Sequence, residues 1–299
     1  MLQVRPPAVA GTFYPAEPEE LRAMVREYLA AAGSPGPVPI ALIVPHAGYP
    51  YSAAVAAAAY GRLAACGAAF RRAVLVGPAH RAPVRGVATS SAQAFATPLG
   101  TVTVDRSAIT SILTLSRVAV DDAAHASEHS LEVQLPFLQT ALPDFSLVPL
   151  LVGDATPREV LEVLEVLRDG PETLVVSTDL SHYLDYGAAR RLDLATSRAI
   201  EALQSEDIRP HQACGWTGLV AILDLARRHG LRAETLDVRN SGDTGGPRHK
   251  VVGYGAYAVV SRHGPPGRRS QAVGHPLPGG TIGCQGGGLS LPEAVSGSP

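Results

Sequence analysis

"PIALIVPH" at residues 39–46 and "RRAVLVGPAH" at residues 71–80 decide the fold. Each is a short apolar run ending in a histidine, with a proline or glycine just before it. A run of this length with no polar alternation reads as a strand buried on both faces, the kind that forms parallel sheets. Helical sequence follows the first run, "SAAVAAAAYGRLAA" (52–65). Further along, "FSLVPLLVG" (145–153) reads as a buried strand, "PREVLEVLEVLRD" (157–169) as a helix, and "ETLVVSTDLSH" (172–182) as another strand running into polar residues. "LEVQLPFLQTAL" (131–142) reads as a helix with Pro136 near its first turn. Helices are expected at about 187–204 and 215–229, and strands at "RAETLDVRN" (232–240) and "VVGYGAYAVVS" (251–261). Strands alternating with helices predict an α/β fold, with a central, mostly parallel sheet flanked by helices on both faces.

Composition narrows the function classes. With 46% hydrophobic, 17% charged and 5% aromatic residues, the chain is expected to be globular and soluble, with an aliphatic, alanine-rich interior. A formal net charge of −2 gives no electrostatic case for nucleic acid or an anionic membrane. Lys250 is the only lysine, so arginine carries nearly all the positive charge. The apolar stretch at 53–70 is broken by Arg62 and two glycines, which makes it a buried helix rather than a membrane span. The first residues lack the apolar core of a signal peptide. Cys66, Cys214 and Cys284 are an odd number at unrelated spacings, which argues against a disulfide framework and for a reducing cytoplasm. One domain is expected over residues 1–262, followed by a Gly/Pro-rich, nonperiodic tail at 263–299 that is expected to be disordered and contains Cys284.

In open α/β sheets ligands bind at the carboxyl ends of the strands. Three expected strands end in histidine there: His46 in "VPHAGY", His80 in "VGPAH" and His182 in "STDLSH". Asp179 adds a carboxylate at the same edge. A second polar cluster, "HASEHSLEVQLP" (125–136), holds His125, Glu128, His129 and Glu132. It reads either as a segment capping the helix that follows, with His125 structural, or as a segment that brings Glu128 and His129 to the site. Cys214, in "RPHQACGWTGL" (209–219), has three readings. It can be a small buried hydrophobe, a nucleophile activated at a helix start, or a metal ligand beside the imidazoles. Spacing alone leaves all three open, because Cys214 belongs to no CxxC motif.

The ordered set "RPPAVAGTFYP", "VPHAGYPYS", "VGPAH", "EHSLEVQLPFL", "STDLSHYLDY", "ACGWTG" and "VVGYGAYA", spread over about residues 4–260, resembles the Memo family, whose bacterial branch is the AmmeMemoRadiSam system protein B. That resemblance implies a fold like the LigB-type, class III extradiol dioxygenases. It implies a metal pocket of two histidines and a cysteine, which fall here on His46, His80 and Cys214, with iron or copper as the metal. The family's nearby Asp and His fall on Asp179 and His182, the latter in the acid/base position, and its Glu-His pair falls on Glu128 and His129. Two departures stand out: Arg81 follows His80 where the animal proteins have a second histidine, and Cys214 replaces the carboxylate ligand of a dioxygenase.

The first functional expectation is therefore an iron- or copper-dependent redox protein, dioxygenase-like, acting on an unknown small molecule or peptide. The second is a noncatalytic binding or assembly component that works with a radical-SAM enzyme and an AMMECR-type protein. The third is a metal-free Cys–His hydrolase with Cys214 as nucleophile.

Overall fold

In the computed structural model the residues described are 3–33, 36–66, 70–168, 170 and 172–262. The tail expected at 263–299, with Cys284, lies outside them. Four strands form the centre of the main sheet: β2 (Pro39–Val44), β3 (Arg72–Pro78), β8 (Ser146–Val152) and β9 (Glu172–Ser177). Their order is β2-β9-β3-β8 and all neighbours run parallel. Nearly every residue in these strands is buried. Successive side chains point to opposite faces, so burial at consecutive positions means that both faces are covered.

Both margins of the sheet are antiparallel or short. On one side β12 (Val251–Ser261) runs antiparallel to β2 and also pairs with β11 (Leu231–Asn240) and with β10 (His182–Leu184). On the other, β4 (Val87–Thr89) runs antiparallel to β8 and parallel to β7 (Val118–Val120). A separate three-stranded sheet joins β1 (Val4–Arg5), β5 (Ala94–Thr97) and β6 (Gly100–Thr103).

Helices α1 (Pro18–Ala31), α2 (Tyr49–Ala64) and α5 (Leu135–Ala141) pack together, and α2 lies on β2 and β12. Helices α3 (Arg106–Ile112), α6 (Pro157–Leu167) and α8 (Trp216–Arg228) form a second layer, in which α8 lies on β3 and β9. Helix α7 (Tyr186–Glu201) covers β11 and β12. The short helix α4 (Asp122–Ala126) precedes the Glu128–His129 pair. The α/β architecture is thus as expected. The sheet is mixed as a whole: its four central strands are parallel, and antiparallel pairs join them to both margins.

Local sequence explains the helix boundaries near the site. The segment expected to form one helix from Leu131 is a 3-10 turn at Glu132–Gln134 followed by α5, with Pro136 in the first turn of α5. Proline has no N–H to lose there and its fixed φ suits helix entry. Helix α6 opens with a complete capping box: the Thr156 hydroxyl accepts from the Glu159 N–H, and Glu159 accepts from the Thr156 N–H.

Candidate metal centre

Because β2, β9 and β3 are adjacent and parallel, the residues just past their carboxyl ends meet. His46 follows β2, Thr178 and Asp179 follow β9, and His80 follows β3. Two glycines let other segments close over these ends. A β-carbon on Gly77 would sit 2.8 Å from Leu131 Cδ2 and 2.9 Å from Ser130 Oγ, so only glycine lets the Glu128–Leu131 loop lie against β3. One on Gly215 would sit 2.8 Å from Thr178 Cβ and 2.9 Å from the Ser177 carbonyl oxygen, so Gly215 lets the start of α8 press Cys214 onto the end of β9.

The result is a cluster of three imidazoles. His46, His80 and His129 each place a ring nitrogen so that all three lie within 4.8 Å of one another. The His80 and His129 rings stack at 5.0 Å between centroids, and His46 stands edge-on to both. Cys214 Sγ lies 3.3 Å from His46 Nε2. The thiol also receives the Asp179 N–H at 3.3 Å, and the Cys214 N–H returns to the Asp179 carbonyl.

A ring of buried polar groups holds the cluster. Glu128, 2% exposed, faces both His80 and His129. His46 Nδ1 lies 3.0 Å from Ser177 Oγ, and the His46 N–H donates to Asp179 Oδ1 at 2.8 Å. Gln134 donates to both the Pro45 carbonyl and Ser177 Oγ, and its own carbonyl accepts from the Tyr60 hydroxyl.

The electrostatics follow from this burial. Burial pulls the His46 imidazole down to about 4; the negative charge of Asp179 opposes it, and the neighbouring imidazoles add to it. Burial pushes the Cys214 thiol up to about 12, and Asp179 pushes the same way. At neutral pH the pair is therefore an uncharged thiol against an uncharged imidazole. A Cys–His nucleophile needs a thiolate, so this environment does not support the metal-free hydrolase reading. Burial alone would raise the Glu128 carboxyl, but the adjacent His129 and His80 rings and hydrogen bonds from backbone N–H groups outweigh it and hold the group well below the usual carboxylate range.

A family model described as "Memo-like protein" matches residues 5–258. The chain belongs to the Memo family. A "MEMO1 family protein" of Ignicoccus hospitalis is 37% identical over 278 residues, covering 85% of this chain and 97% of its own. Another, from Archaeoglobus fulgidus, is 38% identical over 269 residues, covering 84% and 97%. Among solved structures, an uncharacterized protein of Escherichia coli K12 aligns with a TM-score of 0.47 at 14% identity, over 73% of this chain and 98% of that one.

Against the Memo ligand set expected from the motifs, His46 and His80 stand together. Cys214 touches the cluster through His46, and His129, expected as a pocket neighbour, is itself the third imidazole of the group. Asp179 holds the His46 backbone and the thiol. His182 lies on β10 with its ring edge-on to Tyr183, and none of the described contacts joins it to the three imidazoles. His125 is structural: burial pulls it down to about 4, its Nε2 meets the Ala88 carbonyl at 3.1 Å, and its own carbonyl accepts from Arg5. Ser177 and Gln134 were not expected at the site. A serine closing a buried strand and a glutamine in an apolar turn carry no local signal of what they face.

A cavity of about 240 Å³ adjoins Cys214 on the α8 side, lined by Gly77, Ala79, Ser177, Gly215, Thr217 and Gly218. A larger cavity of about 460 Å³ lies between α7 and β11, but neither an imidazole nor a thiol lines it, so size alone does not mark the centre.

None of the described helices is long and apolar enough to cross a membrane.

Proposed function

We propose that this cluster is a metal centre and that the protein uses it for redox chemistry of the dioxygenase-like kind on a substrate still to be identified. The observation that carries the reading is the convergence of His46, His80 and His129 with the Cys214 thiol beside them. Three imidazoles and a thiol fit the borderline-to-soft metals, among them iron and copper, far better than magnesium or calcium. In this reading His46, His80 and His129 hold the ion, and Cys214 Sγ is the fourth donor within reach. A bound iron or copper would supply one-electron and dioxygen chemistry. The chain's own residues do the rest. Asp179 fixes His46 and Cys214 relative to each other; His46 is buried, whereas His80 is exposed and leaves that side of the centre open. His182, partly exposed on the strand beyond Asp179, is the residue assigned to carry protons between solvent and substrate.

The test is metal content by ICP-MS on untagged protein purified anaerobically. Wild type is compared with His80→Ala, His129→Ala and Cys214→Ser. Near-stoichiometric iron or copper in wild type, lost in His80→Ala, is the expected result. Loss in His129→Ala but retention in Cys214→Ser assigns an all-imidazole site, and the reverse assigns the two-histidine and cysteine set. Wild type without metal after anaerobic reconstitution with Fe(II) and Cu(I) overturns the reading. It would favour a role as a binding component alongside a radical-SAM enzyme and an AMMECR-type protein.

A further inference from the structure

Glu128 is unusually well supplied with donors for a carboxylate 2% exposed. Its Oε2 accepts from the His80 and Arg81 N–H groups at 2.5 and 3.2 Å, and its Oε1 accepts from those of His129 and Ser130 at 2.8 and 2.9 Å. Two imidazoles then reach the same oxygen: His80 Nδ1 at 3.2 Å and His129 Nδ1 at 3.1 Å. The His129 approach is off line, so its Nδ1 makes a close charge–dipole contact rather than a well-formed hydrogen bond.

A neutral imidazole has one N–H and one lone pair. An ionised carboxylate only accepts, so the ring nitrogen facing it must carry the hydrogen; a lone pair there would face lone pairs. In the neutral form His80 and His129 are therefore both Nδ1–H, with the lone pair on Nε2. His46 reaches the same state by another route. The Ser177 hydroxyl has one proton, and it is committed to the Ser130 carbonyl at 2.6 Å. Ser177 Oγ must then accept from His46 Nδ1 at 3.0 Å, as it does from Gln134 at 2.9 Å. The orientation of Gln134 is itself fixed, because its amide faces the Pro45 carbonyl and its oxygen faces the Tyr60 hydroxyl.

We infer that Glu128 is a shared positioning residue: one carboxylate locks the tautomer of two of the three imidazoles, and Ser177 locks the third, so each ring carries its lone pair on Nε2 before any ion arrives. This rests on the metal-centre reading for its purpose, but not for its geometry. Partners of this kind, which hold the ring nitrogen opposite the metal, raise affinity by fixing ring orientation and tautomer.

The experiment uses the full-length apoprotein with 15N-labelled histidine and long-range proton–nitrogen correlation spectra, which distinguish Nδ1–H from Nε2–H rings. Each ring is assigned by its own loss in a His→Gln variant. His125 supplies an internal control of the opposite form, since its Nε2 faces the acceptor-only Ala88 carbonyl. Wild type should show Nδ1–H patterns for His46, His80 and His129, and Nε2–H for His125. Ser177→Ala should change His46 alone, and Glu128→Gln should change His80 and His129. Chelator competition with Fe(II) or Cu(I) should show affinity down about 10–100-fold in Glu128→Gln. An Nε2–H pattern for His80 or His129 in wild type overturns the clamp, as does unchanged affinity in a folded Glu128→Gln. Should that variant not fold, the wild-type spectrum decides alone. Failure of wild type to take up metal sinks the metal reading, while the tautomers still judge the clamp.

Discussion

Glu128 and Glu132 stand four residues apart in one short segment, both buried, both saturated with donors, and they do different things. Glu132 binds the Arg5 guanidinium, the Ala8 and Val9 N–H groups and the Tyr14 hydroxyl. Arginine is a permanent cation and every donor on Glu132 comes from the N-terminal segment, so the group ties that segment to the turn before α5 and has nothing left for chemistry. The Glu128 carboxylate has no guanidinium partner; Arg5 reaches only its backbone carbonyl, at 2.6 Å. Its side-chain partners are imidazoles, each with a second nitrogen left over, and both rings belong to the candidate centre. A buried carboxylate paired with arginine fastens the fold, whereas one paired with histidine leaves a ligand atom on the far side of its partner.

The strongest way to break this division is to remove the charge on Glu132. Glu132→Gln leaves Arg5, 6% exposed, without its counter-charge. Breaking a buried pair from one side costs about 3–5 kcal/mol. Urea unfolding should show that loss as a lower midpoint at unchanged slope. Metal affinity of the folded fraction should stay within about twofold of wild type, as expected for a residue whose partners lie outside the centre. A variant of normal stability that fails to hold metal would reverse the roles assigned to the two glutamates.

Asp193 sharpens the contrast, because it is a buried carboxylate with neither kind of partner. Its Oδ1 accepts the Ser181 N–H at 3.0 Å, and its Oδ2 has no hydrogen-bond partner among the described residues. Burial pushes it up to about 6, with the Ser181 N–H opposing. A carboxyl raised on folding contributes stability that is fully present below its unfolded value, about 4, and is lost as pH rises through about 6. At 1.36 kcal/mol per pKa unit the effect is on the order of 2 kcal/mol. Unfolding free energies of wild type and Asp193→Asn, compared at pH 4.5 and pH 7.5, should differ by that amount in their change with pH. Relative to the variant, the wild type should be the one that loses stability at the higher value. Taking the difference removes His46 and His125, whose lowered values give the opposite slope. Equal slopes in the two proteins would mean that Asp193 has a partner in solution.

How much of this could be read from the chain depends on how far apart the partners lie. The parallel centre of the sheet was legible because each of its strands is a continuous apolar run, and His46 and His80 because they close two such runs. The small sheet of β1, β5 and β6 was not, since its strands are two to four residues long and show no sustained apolar pattern. Glu128 and His129 could be seen as neighbours of a site but not as parts of it. What makes them parts is the contact with His80, 48 residues earlier for Glu128, made possible by the missing side chain of Gly77. Ser177 and His46 are 131 residues apart, and nothing local to either shows that the serine's one proton goes to Ser130. Backbone periodicity reports burial. It does not report which of two oxygens accepts.

The smallest effect tests the arginine-paired glutamate by a single donor. The Tyr14 hydroxyl donates to Glu132 Oε1 at 2.6 Å, and the same oxygen still has the Val9 N–H at 2.9 Å when the hydroxyl is removed. Burial, with the adjacent Glu132 charge, holds the phenol above its ordinary range, so it remains a donor at every working pH. Tyr14→Phe keeps the ring and its packing on Tyr49, and should cost about 1.5 kcal/mol, the low end for a hydrogen bond to a charged group. The cost should be the same at pH 6 and pH 8, since the raised phenol stays protonated across that range. A cost that grows between those pH values would mean that the phenol ionises and that the Arg5–Glu132 knot is more open to water than its burial implies. A change in the His80 or His129 tautomer signals would show that the two glutamates are coupled through the three residues between them. In that case the fastening and the positioning roles would be one network rather than two.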